Sequence, residues 1–279
     1  ANTFTADDVT SLTLSQGTAS DAIKFSTLSA DAATAITLGG SVTGASGAVS
    51  VVTLEADELT ALTIDAANGT VLVDNITADK LATITITGDN AVTLGEDSSG
   101  NDATVATVAL ASVAAGAATA AVKLSGTMEY AVDASIVTGT AGDNVDLSSS
   151  VAAGVTVSTG AGDDTITTDS AALRAVDGGT DADDSDATTY DGGNDTLVIT
   201  GTNNSGTGVV NLAATGDQVT TFNGVAEAVV QSGFESVDLS GLTSSGSYGF
   251  AITANAGGST IVASAANDTI TGGAGASGR

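Results

Sequence analysis

Short stretches along this chain repeat one hydrophobic pattern. In VTSLTL, AATAITL, LTALTI, LATITI and VATVAL an apolar triplet recurs at offsets −3, 0 and +2. Its members are Val9/Leu12/Leu14, Ala33/Ile36/Leu38, Leu59/Leu62/Ile64, Leu81/Ile84/Ile86 and Val105/Val108/Leu110. The 0 and +2 positions share one face of a strand, and the Thr or Ala between them points away. The central residues are 24, 26, 22 and 24 positions apart, too short for a strand–helix–strand unit and suited to one coil of a solenoid.

A second apolar stretch follows most triplets: residues 48–54, 70–73, 91–94 and 120–124. Turn signals precede two of these stretches, Asn68-Gly69 and Gly88-Asp89-Asn90, so each coil is expected to hold at least two strands and a turn. An antiparallel sandwich also alternates strands and turns, but it has no reason to keep a fixed longer period. The fold class expected is all-β, a parallel β-solenoid with coils of 22–26 residues. Short helices compete at 56–62 and 76–83, and the Ala-rich 108–122 reads as helix or strand.

Beyond residue 138 the texture becomes acidic and glycine-rich, which divides the chain into a Thr/Val/Leu-rich solenoid, 1–137, and an acidic continuation, 138–279. Four segments there share one unit, 138–150, 158–168, 176–200 and 263–279. Gly162-Asp163-Asp164-Thr165-Ile166, Gly193-Asn194-Asp195-Thr196-Leu197 and Ala266-Asn267-Asp268-Thr269-Ile270 superpose within it. Glycine admits positive φ and lets carbonyls turn inward, aspartate supplies a charged oxygen, and the aliphatic residue anchors the following strand.

Composition narrows the chemistry. The 279 residues hold 33 acidic and five basic side chains, a formal charge of −28, which argues against nucleic acid and anionic membrane as partners. Without cysteine or histidine, an oxygen-ligated cation, calcium before magnesium, is the cofactor that fits. The candidate ligands and turn formers are Gly142, Asp143, Asn144 and Asp146 in the first segment and Gly160, Gly162, Asp163 and Asp164 in the second. The third offers Asp177, Gly179, Asp181, Asp183, Asp184, Asp186, Asp191, Gly193 and Asp195, and the last Asn267 and Asp268. Unpaired, the carboxylates of 177–195 repel one another; either the segment is a solvated loop or a cation orders it. The bracketing glycines and the strand that follows favour the cation. A calcium takes about 6–8 oxygens, so each turn needs a second one facing it.

The segment STGAGDDTITT resembles the glycine-rich nonapeptide of secreted bacterial RTX proteins. Taken with the LTALTI-type coils, the chain looks most like the calcium-dependent surface-layer proteins of the Caulobacter type. That resemblance implies calcium-driven folding outside the cell, type I secretion through a signal lying past Arg279, and ordered self-assembly on the cell surface. The expected partner is another copy of the chain, with a cell-surface glycan or lipopolysaccharide as a further one.

A competing reading is an adhesin or ligand-binding module of a larger RTX protein. Aromatic residues are only 3% of the chain, which weakens a sugar-stacking version of it. A β-helical polysaccharide-active enzyme is the remote alternative, and the chain is expected to be no enzyme. Chemistry on acidic sugars wants cationic or histidine groups that are scarce or absent here. No apolar run approaches the about 18 residues that span a bilayer, so direct membrane insertion is not expected.

Overall fold

The computed structural model describes residues 2–15, 22–40, 47–149, 152–179, 193–244 and 248–273, apart from the side chains of 107–109. The described residues are strands joined by turns, with no helix among them, and none therefore long and apolar enough to cross a membrane. The chain forms two compact units, 1–155 and 156–279.

In the first unit, strands Ser11–Leu14, Ala35–Gly39, Ala61–Ala66 and Thr83–Gly88 stack in parallel with Leu12, Ile36, Leu62 and Ile84 in register. Each strand pairs with its counterpart one coil away and not with its chain neighbour, which is the solenoid topology expected. A second column joins Val49, Val71, Val92 and Val122. A third runs through Phe4, Leu28, Leu54, Ile76, Val105 and Met128. The period of two decides what is buried: Leu62 and Ile64 are 1% and 0% exposed, whereas Thr63 between them keeps contact with solvent. Complete burial of one such aliphatic side chain contributes about 1.5–3 kcal/mol, repeated coil after coil.

The segments with competing helical propensity do not become helices. Residues 56–59 and 78–81 make one i→i+3 turn each, Leu59 N–H to Ala56 C=O at 3.0 Å and Leu81 N–H to Ala78 C=O at 3.0 Å. The next amides then leave for the neighbouring coil, Thr60 N–H to Thr34 C=O and Ala82 N–H to Thr60 C=O, both at 3.0 Å. Helix nucleation is unfavourable over so few residues, and the ladder takes the donors instead. The Ala-rich segment is a strand, Thr104–Ala118.

The fifth triplet lies elsewhere than the pattern suggests. Ile84 stacks on Val113, and the triplet offsets select Leu110, Val113 and Ala115, which are 0%, 1% and 0% exposed. The turn-rich excursion around residues 95–103 lengthens this coil. Leu110 is therefore the first member of its triplet and not the last.

In the second unit, Thr165–Asp169 pairs in parallel with Thr196–Thr202, and a column runs through Ile166, Leu197, Val237 and Ile261. The coils continue, with one departure. Gly208–Asn211, Val219–Phe222 and Val225–Ala226 form an antiparallel meander, whose first strand pairs in parallel with Phe250–Thr253. Asn223 and Gly224 at φ 51° and 75° make the tight reversal that an antiparallel link requires. Phe222 and Phe250 pack at 5.6 Å beneath it.

Candidate metal-binding turns

The glycine-rich turns are built by close stacking of backbone. Gly160, Gly179 and Gly233 occur at φ 95°, 111° and 74°, in the left-handed region. A Cβ on Gly179 would lie 1.9 Å from the carbonyl oxygen of Gly160, so no side chain fits. Gly162 and Gly193 also have positive φ, 114° and 132°.

The inner aspartates of these turns, Asp143, Asp164 and Asp195, are buried, and Asp268 is half-buried. In the first unit Asp143 is 3% exposed; Oδ1 accepts the N–H of Val122 at 2.7 Å and Oδ2 that of Gly139 at 3.0 Å. Burial pushes its carboxyl above the usual carboxylate range, opposed by hydrogen bonds from Thr138, Val122 and Gly139. In the second unit Asp164 and Asp195 are 1% and 2% exposed. The Asp195 Oδ1 accepts the Asp164 N–H at 2.8 Å, and the Asp195 N–H is taken in turn by Glu235 Oε2 at 3.0 Å. The register makes these residues one column, because Thr196 pairs with both Thr165 and Ser236. Asp268 repeats the device: its Oδ1 accepts the Phe250 N–H at 2.7 Å, and Ser264 donates to both its oxygens at 3.0 Å. Asp143, Asp195, Glu235 and Asp268 thus each cap the amide at the equivalent position of the preceding coil.

The remaining candidates lie nearer solvent. Asp163 is exposed and its Oδ1 accepts the Asn194 N–H at 2.8 Å, while Asn194 Oδ1 accepts the Ser236 hydroxyl. Asp177 Oδ1 accepts from Ser232 Oγ at 3.1 Å and from Gly179 N–H at 3.3 Å. Asp146 closes a local turn through the Ser148 N–H at 2.7 Å; Gly142 and Asn267 are exposed and Asn144 half-exposed. Asp181, Asp183, Asp184, Asp186 and Asp191 lie outside the described residues.

Oxygen donors alone suit a hard cation such as calcium. Among the described residues, however, no three carboxylates converge on one point. The donor chemistry fits calcium, and a full shell there needs main-chain carbonyls or carboxylates beyond those described.

Glu235 is the ladder member that the motif comparison misses. Gly233-Phe234-Glu235-Ser236-Val237 matches Gly193-Asn194-Asp195-Thr196-Leu197 in the type of its glycine, acid, hydroxyl and aliphatic positions, with the acid one methylene longer. A second overlooked pattern lies in the first unit. Asp7, Asp31, Asp57 and Asp79 each stand five residues before Leu12, Ile36, Leu62 and Ile84, and all four are exposed. Partial burial and the charges of Asp57 and Asp7 raise the Asp31 carboxyl above its ordinary value.

Comparison with protein-family models, with curated proteins and with solved structures found no match.

Proposed function

We propose that the chain is an extracellular structural protein whose copies assemble side by side into a surface layer or filament, with calcium neutralising and joining acidic turns. The observation that supports this reading most is the repetition of one acidic turn along stacked parallel coils. Such a body presents identical chemistry at a fixed spacing of about 4.8 Å per coil, which is what ordered self-association needs.

Charge sets the requirement for a counterion. Copies carrying −28 each repel at close approach, and every bound divalent cation cancels two charges. The exposed Asp163 and the column of Asp7, Asp31, Asp57 and Asp79 in the first unit are the groups available for that role, since Asp143, Asp195 and Asp268 already hold backbone amides. Oxygens from a neighbouring copy or from 181–191 would complete the shell. No enzymatic step is assigned.

Electron microscopy of the protein with calcium and with excess EGTA tests the reading. Ordered sheets or filaments are expected with calcium and dispersed particles in EGTA. Order that persists in EGTA refutes the calcium role, and dispersed particles under both conditions refute assembly.

A further inference from the structure

The second unit contains a cleft of about 510 Å³, inside the about 300–1,000 Å³ range of small-molecule sites. Its lining has two chemical parts. Ala213 and Ala214, over the buried Leu212, supply an apolar strip, while Asp177, Glu235 and Asn255 supply acceptors and an amide. Among the described residues no lysine or arginine lines it.

The cleft is preformed. Gln218, 3% exposed, donates from Nε2 to the carbonyls of Leu212 at 3.3 Å and Phe234 at 2.8 Å, and accepts the Phe234 N–H at 3.0 Å through Oε1. One buried side chain therefore ties the apolar strip to the turn that presents Glu235. Ser232 and the Gly179 amide both hold Asp177 Oδ1, which orients that carboxylate. Among the described residues Asp177 Oδ2 has no hydrogen-bonding partner, and the Thr215 hydroxyl at the rim has none either.

We propose that this cleft binds a neutral or amine-bearing sugar of one or two rings. A pyranose has an apolar C–H face and a rim of hydroxyls, which matches an apolar strip beside fixed acceptors. Hydroxyl donors to a carboxylate make charge-assisted hydrogen bonds, the stronger class. Two carboxylates with no cation beside them among the described residues reject uronates and phosphorylated sugars. A bare metal ion is a poor match, because the space far exceeds the about 30 Å³ that one water occupies and no three carboxylates converge among the described residues.

Saturation-transfer NMR and calorimetry on the full chain test this with glucose, galactose, glucosamine, lactose and glucuronate as probes. At least one neutral or amino sugar is expected to bind in the millimolar range, with glucuronate weaker by about tenfold or more. Thr215→Trp places a bulky ring at the cleft from an exposed position. It should weaken binding by about tenfold or more while the circular dichroism spectrum and the urea midpoint stay unchanged. Because Asp177 is also a candidate calcium ligand, both titrations are run in EGTA and in calcium. No binding by any probe in either buffer, binding of glucuronate equal to the neutral sugars, or undiminished binding by Thr215→Trp each overturns the proposal. The assembly reading is judged separately, by microscopy.

Discussion

Replacing Asp195 by alanine separates a carboxylate that caps backbone from one that serves as a metal ligand. Asp195 is 2% exposed and its Oδ1 accepts the Asp164 N–H at 2.8 Å. Alanine removes the acceptor and leaves a buried amide without its partner. Loss of a hydrogen bond to a charged group costs about 1.5–3 kcal/mol, and an unsatisfied buried donor costs about 1–3 kcal/mol. These describe one event and are not summed, so the expected loss is about 2–3 kcal/mol. Asp195→Asn keeps an acceptor oxygen at nearly the same place, and about 1 kcal/mol or less is expected for it.

Hydrogen exchange reads this at the affected amide. With each 1.4 kcal/mol a factor of about ten, the Asp164 amide should exchange about 30–150-fold faster in Asp195→Ala. The urea midpoint of the second unit should fall in parallel. Both measurements belong in excess EGTA, where a capping role persists and a ligand role vanishes. If Asp195→Ala matches the native chain in EGTA and differs only in calcium, the capping argument is wrong.

Two further outcomes follow from the geometry. Gly179→Ala forces a Cβ toward the Gly160 carbonyl at φ 111°, so about 1–3 kcal/mol or more of strain should appear as a lower urea midpoint; an unchanged midpoint would show that the stacked turns can relax. For pH, burial raises the carboxyls of Asp74, Asp143 and Glu227 above their ordinary values, and slight desolvation with the charges of Asp57 and Asp7 raises that of Asp31. A folded-state value above the unfolded one means the native chain binds more protons there. Stability therefore falls as pH rises through the window above 3.8 for the aspartates and 4.5 for Glu227, and returns on acidification toward those values. Asp97 runs the other way: hydrogen bonds from the Asn101 side chain and from the Asn101 and Ser99 amides lower its carboxyl, so its share is lost only as pH falls below 3.8. Urea midpoints at low ionic strength without divalent cations should rise as pH is lowered from neutral toward 4.5, and a steady fall over that range would contradict the assignment.

The amino-acid sequence by itself determined the coil. Leu12, Ile36, Leu62 and Ile84 announce both the period and the buried face, because alternation decides burial within one strand and needs no knowledge of neighbours. It also determined where glycines must turn the chain, as at Gly160 and Gly179. Tertiary structure decided which residues meet. Coil lengths vary, so only three-dimensional pairing shows that Ile84 stacks on Val113 and not on Val108. The inner aspartates have the same standing: a Gly-Asp-Thr turn offers its oxygen equally to a cation or to an amide. The amide that claims Asp195 lies 31 residues away on the preceding coil, and that juxtaposition, invisible in local spacing, makes the carboxylate a rung of the backbone ladder.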